Sequence, residues 1–137
     1  MRGADLRRPW LLLRAVRAAF SAGWLVRRRF RLPFDRVVEE LRTGAPMRGA
    51  LADPLLHLRV VNRLLAVLPP FGMGRCMKRS LLLLHLWSRC GLAPCLHLGV
   101  GHLSSAGRSS HAWLTAGVPG GEMMAGAPDG HAEVVVL

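Results

Sequence analysis

The stretch RCMKRSLLLLHLWSRC, residues 75–90, decides the fold that the sequence predicts. Its apolar side chains follow helical spacing without interruption, and Gly91 directly behind it is a residue that commonly ends helices. A helix this rich in leucine needs neighbours that cover most of its surface. We therefore predict a buried helix that carries Cys76 in its first turn.

Helical patterns precede this stretch and strand patterns follow it. The predicted helices lie within residues 6–43, interrupted at Pro33 with a second helix over 34–42, and at 55–68; the predicted strands are 95–100, 111–115 and 133–137, with a turn at 118–121. Helices followed by a buried helix and short antiparallel strands are typical of an α+β fold.

The chain length of 137 residues fits one compact domain. Within it we predict an Arg-rich helical segment over residues 1–48 and a core over residues 49–137. Lys and Arg total 19 against 8 Asp and Glu, giving a net charge of +11, and residues 1–48 hold 12 of the arginines. Aromatic residues make up only 6% and no base-reading motif is present, so we predict no nucleic-acid partner.

The N-terminal pattern is amphipathic. Arg14 and Arg17 interrupt the apolar stretch, which argues against a signal peptide and against a membrane-spanning helix. One face of the predicted helix carries Arg7, Arg14, Arg17, Ser21 and Arg28. Two interpretations stay open: a core-packing helix with a solvated arginine stripe, or a membrane-surface helix that also uses Trp10, Phe20 and Trp24.

Three cysteines form no paired disulfide framework, which favours a reducing, cytoplasmic compartment. Cys76 lies where a helix N-terminus attracts negative charge, and Lys78 and Arg79 follow it, so it is the candidate thiolate nucleophile. Cys90 and Cys95 are predicted to be small buried apolar residues.

A thiolate nucleophile needs a base, and the chain has six histidines. His57 and His85 lie in helical patterns, where a solvated or core-edge position is expected. His111 opens a strand after a Gly- and Ser-rich loop. A zinc site built from Cys90, Cys95, His97 and His102 matches no standard ligand spacing, so no metal is predicted.

Four ordered motifs carry a resemblance to a known family. Residues 75–84, 89–92, 98–101 and 111–114 resemble the CLxRSL, RRGLPA, xIGV and HAW patterns of the transglutaminase-like leader peptidases, the B proteins of lasso peptide biosynthesis. The resemblance covers about residues 55–130. It implies a transglutaminase- or papain-like core in which the Cys-bearing helix packs on a small antiparallel sheet.

The resemblance also implies an activity and partners. Such proteins are cysteine peptidases that cut the leader from a ribosomally made precursor peptide, without a cofactor. The implied partners are the precursor peptide, a leader-binding partner protein and an asparagine-synthetase-like lasso cyclase. The implied location is the cytoplasm, with contact to the inner face of the membrane through the basic helix as a further option.

The family's catalytic residues map onto this sequence one by one. Cys76 matches the nucleophile and His111 the general base. The third member, an acid that orients the histidine, matches less directly, because residues 116–121 replace a shorter VDG turn. Asp129 is the first candidate and Glu122 the second, while Gly126 or Ala127 are alternative occupants of the acidic position. A catalytically impaired homologue that binds leader peptide or cyclase is the alternative function.

Overall fold

The computed structural model describes residues 8–68, 75–101, 110–125 and 131–137. Within them, four helices precede four strands, which confirms the predicted α+β class. The helices are α1 (Pro9–Arg29), α2 (Phe34–Leu41), α3 (Pro54–Val67) and α4 (Arg75–Arg89), with a 3-10 turn at Gly49–Ala52; the strands are β1 (Cys95–Gly101), β2 (Ser110–Val118), β3 (Gly121–Ala125) and β4 (His131–Val136).

Helix α4 is the centre of the fold. Eight consecutive residues from Ser80 to Trp87 are buried, as the leucine-rich sequence predicts. Helices α1, α2 and α3 pack against it, and so do strands β1 and β2. Each fully buried leucine contributes roughly 1.5–3 kcal/mol relative to an exposed one. The helix ends before Gly91, whose φ of +87° reverses the chain at little steric cost.

The segment after α2 fixes the C-terminal end of α4. The backbone N–H of Met47 donates to the carbonyl of Arg89 (2.7 Å), and Arg89 Nε donates to the carbonyl of Ala45 (2.8 Å). Gly44, at φ +152°, lies so close that a Cβ there would be 3.2 Å from His85 Cε1. Glycine is therefore required where this segment crosses α4.

The sheet is antiparallel with strand order β3-β2-β1-β4. Alternation along β2 directs Ala112, Leu114 and Ala116 into the core shared with α4, while His111, Trp113 and Thr115 alternate with them on the other face. The predicted strands are confirmed, but β3 was missed. The turn at residues 119–120, with Gly120 at φ +88°, joins β2 to β3 as a hairpin.

Helix α1 buries a narrow stripe of mostly small residues. Leu11, Ala15, Ala19, Ala22 and Val26 are buried, whereas the opposite side exposes both arginines and large apolar residues. The small side chains let α1 approach α3 and α4 closely. Within the part of the chain described, no helix has the length and apolar character that crossing a membrane requires.

His57 and His85 are buried, which corrects their predicted solvated or core-edge position. His57 Nε2 donates to the carbonyl of Leu51 (2.7 Å), and His85 Nδ1 donates to the carbonyl of Leu41 (2.8 Å). These bonds tie α3 to the 3-10 turn and α4 to the end of α2. Burial lowers the pKa of both histidines below the usual value of 6.5.

We expect acid to destabilise the fold through these two histidines. Because their pKa values are lowered on folding, the unfolded chain binds more protons, and the free energy of unfolding falls as the pH drops below about 6.5. His57→Gln and His85→Asn keep an amide donor without a titrating ring. Urea unfolding between pH 7.5 and 5.5 should show a smaller loss of stability in the double variant than in the wild type. An equal loss in both proteins would contradict this role.

Candidate active site

Cys76 is the second residue of α4 and is partly exposed. The backbone N–H groups of the first turn have no partner within the helix, so this end carries a partial positive charge. Arg75, Lys78 and Arg79 lie on the same turn, and it has no acidic residue. Backbone N–H groups and cationic side chains at this helix end can stabilise an oxyanion that forms beside Cys76.

The other two cysteines differ from Cys76 and from each other. Cys90 is half-buried and packs against the core, and burial raises its pKa to about 12. Cys95 is exposed at the start of β1, which corrects the prediction that it is a small buried residue. The reason is its position at the strand's first residue, on the sheet face opposite Leu96, which is fully buried.

His111 takes part in a ring stack on its sheet face. Its ring stacks on Trp113 with a centroid distance of 6.0 Å and an interplanar angle of 20°, and Trp113 stacks on His97 at 5.3 Å and 4°. His97 Nε2 lies within hydrogen-bond distance of Thr115 Oγ1 (2.8 Å). Trp113 is 4% exposed, so its indole is a fixed platform between the two imidazoles.

The topology places Cys76 and His111 toward the same end of the molecule. Residues 90–94 form a short connection, so β1 begins beside the C-terminal end of α4 and runs back along it. In the register, His111 pairs with Gly99 near the far end of β1. The start of β2 therefore lies toward the first turn of α4, where Cys76 is located.

His111 alternates with the residues that pack on α4, so its ring belongs to the opposite face of β2. Catalytic pairs without substrate are often longer than hydrogen-bond distance. The pairing of Cys76 with His111 stays a prediction.

The strand register excludes Glu122 as the acid behind His111. Glu122 pairs with Gly117, which is six residues along β2 from His111. At about 3.3 Å per residue this separation is roughly 20 Å, far beyond hydrogen-bond reach. An exposed carboxylate at the far end of the hairpin cannot orient the imidazole.

Asp129, Gly126 and Ala127 lie outside the described residues. The described residues that flank them sit at the His111 end of the sheet. Ala125 is the last residue of β3, which runs antiparallel to β2 toward that end, and His131 pairs with Gly101 at the end of β1. Asp129 stays the prediction for the third catalytic residue.

No group of three or more His, Cys, Asp or Glu side chains able to hold a metal occurs among the residues that the structure describes. His102, one of the four residues considered for zinc, falls outside them. The stack of His97, Trp113 and His111 is a feature that the sequence analysis missed. The alternation of 111, 113 and 115 would reveal one face of β2, but His97 joins it only through the strand register.

Comparison with known proteins identifies the family. Residues 12–137 match the transglutaminase-like superfamily. The match includes the entire sheet and all four helices, except for the first turn of α1. This superfamily generally includes cysteine peptidases. A search of curated proteins and a search of solved structures found no match. The chain belongs to the transglutaminase-like superfamily.

Proposed function

We propose that this protein is a cysteine peptidase that removes the leader from a ribosomally made precursor peptide in lasso peptide biosynthesis. The observation that carries the proposal is Cys76 in the first turn of the buried helix α4 of a transglutaminase-like protein. In this proposal His111, at the start of β2, is the base that the thiol needs, and its ring reaches Cys76 around the end of the sheet from the face opposite α4. The four ordered motifs select the leader-peptidase branch of this superfamily.

The reaction proceeds through an acyl-enzyme. Sγ of Cys76 attacks the carbonyl carbon of the leader–core bond, while backbone N–H groups of the first turn of α4 stabilise the oxyanion. His111 takes the thiol proton and delivers it to the leaving amine of the core peptide. The leader is then bound as a thioester. His111 removes a proton from water, whose oxygen attacks the thioester and releases the leader carboxylate and the free thiol.

The stacked rings restrict the orientations of His111 before substrate binds. Trp113 limits rotation of the imidazole from one side, and His97 holds Trp113 in turn. Asp129 would add a hydrogen-bond acceptor that sets the tautomer. Without that carboxylate a cysteine–histidine pair still catalyses, since the third member of a triad contributes less than the other two.

Three partners follow from this function. The precursor peptide is the substrate, a leader-binding partner protein delivers it, and an asparagine-synthetase-like cyclase consumes the released core. No cofactor is needed for hydrolysis through a thioester. The reaction belongs in the cytoplasm, where the precursor is made, and a place at the inner face of the membrane is an extension of this proposal.

A second candidate function is a catalytically impaired homologue that binds leader peptide or cyclase. The exclusion of Glu122 favours it, because it removes one of the two acids predicted to orient His111. The two functions differ in one measurement. An impaired homologue binds the precursor without cleaving it under any condition, including in the presence of the leader-binding partner.

We expect Cys76→Ala to abolish cleavage. Loss of the nucleophile should reduce kcat/KM for a precursor peptide encoded by a neighbouring gene at least about a thousandfold, because no other group forms the acyl bond. Cys95→Ala is the matched control, since Cys95 is exposed at the start of β1, and should retain activity. Cleavage is followed by mass spectrometry with the leader-binding partner present. Undiminished cleavage by Cys76→Ala would refute the assignment.

A pair of variants tests which acid is the third catalytic residue. Asp129→Asn should lower kcat roughly tenfold or more while KM changes little, because the imidazole loses its orienting carboxylate. Glu122→Gln should match the wild type, since Glu122 lies about 20 Å along the hairpin from His111. If Asp129→Asn also matches the wild type, the protein works as a dyad or uses another group to orient His111.

The three thiols should differ in their rate of alkylation. Cys90 should be slowest by at least about tenfold, because burial raises its pKa to about 12 and limits access. We expect Cys76, as the proposed nucleophile, to react before Cys95 at a pH of about 6. Peptide mapping after brief exposure to iodoacetamide gives the order. Equal labelling of Cys76 and Cys95 would argue against an activated thiol.

A further inference from the structure

An open apolar groove runs between α1 and α3, outside the candidate active site. Its volume is about 530 Å³. Phe20, Trp24 and Phe30 form one wall, Leu64 and Leu68 form the other, and Leu82 of α4 lies at the floor. The peptidase mechanism uses none of these residues.

The groove exposes side chains that a folded protein normally covers. Trp24 is 67% exposed, Phe20 55% and Phe30 51%. Isolated exposed apolar residues are ordinary, but a contiguous patch bounded by charged residues marks an interaction site. Trp24 also borders a second depression together with Arg27, Arg28 and Arg31, so the patch continues toward the end of α1.

The charge around the groove has one sign. Arg27 and Lys78 line it, and neither α1 nor α3 contains an acidic residue. A partner that fits the groove therefore carries acidic side chains next to the apolar side chains that fill it. A second copy of this chain fits poorly, because its net charge is +11 and the same basic groove would face itself.

The shape of the groove matches a helix. Phe20 and Trp24 lie one turn apart on α1, and Leu64 and Leu68 lie one turn apart on the opposite wall. Two such rows accept the apolar stripe of a third helix, whose residues repeat every three or four positions. A bilayer surface has no ridge to fill a concave channel between two helices.

We propose that the groove between α1 and α3 binds an acidic amphipathic helix of a partner protein. Apolar residues of that helix fill the space between Trp24 and Leu68, and its flanking carboxylates face Arg27 and Lys78. Apart from Lys78, which also lies on the first turn of α4, the groove residues take no part in the proposed cleavage. It explains why α1 carries arginines and large apolar residues on one exposed side.

The test uses two synthetic peptides and matched tryptophan variants. One fluorescein-labelled peptide of about five helical turns contains Leu at helical spacing with Ala and Glu elsewhere, and the other has Lys in place of Glu. Fluorescence anisotropy should show that the Glu peptide binds roughly tenfold or more tightly than the Lys peptide, and that added salt weakens it.

Trp24→Ala should weaken binding of the Glu peptide about tenfold. Trp10→Ala is the control, because Trp10 is also exposed on α1 but does not line the groove, and it should bind like the wild type. Arg27→Glu should reverse the preference between the two peptides. Cys76→Ala should leave binding unchanged, so failure of the groove proposal and failure of the peptidase proposal are distinguishable.

Three results would overturn the proposal. The first is equal affinity for both peptides, or equal losses in Trp10→Ala and Trp24→Ala. The second is Trp24-dependent sedimentation with vesicles of phosphatidylglycerol and phosphatidylcholine without peptide binding, which would make a lipid surface the occupant. The third is a dimer in sedimentation velocity that Trp24→Ala dissociates, which would make a second copy the occupant.

Discussion

The burial of α4 is the interaction on which the rest of the structure depends. Its leucines contact helices on one side and the sheet on the other, so neither layer has a core without them. A helix enclosed along its length leaves its first turn as the part that can meet a substrate. Cys76 lies in that turn, where N–H groups without a partner inside the helix can stabilise an oxyanion. The buried leucines of α4 thus stabilise the fold, and the first turn of the same helix carries the proposed nucleophile.

Much of this architecture could be predicted from periodicity. The leucine run defines α4, Pro33 separates α1 from α2, and Gly91 ends α4. The strand β3 could not be predicted, because glycines flank it and its side chains carry little strand propensity. The predicted solvated or core-edge position of His57 and His85 was wrong for a related reason. Helical spacing gives no sign that a carbonyl of another segment will meet the ring.

Part of the candidate site could also be predicted from the sequence, and part of it required the tertiary structure. Ordered motifs nominate Cys76 and His111, since each motif is local in sequence. The exclusion of Glu122 needs the register of the hairpin, and the stack of His97 on Trp113 needs the register of β1 with β2. The groove likewise depends on tertiary packing. The sequence reveals the basic stripe of α1, but only contact with α3 turns Phe20 and Trp24 into one wall of a channel.

Active-site labelling with a leader peptide that ends in a chloromethyl ketone shows directly whether Cys76 is the nucleophile. The ketone occupies the position of the scissile carbonyl, and the nucleophile displaces chloride to form a stable thioether. We expect one adduct per protein, located by peptide mapping on Cys76 and prevented by excess precursor. Labelling of Cys90 or Cys95 instead, or cleavage of precursor by a preparation in which Cys76 is fully modified, would contradict it.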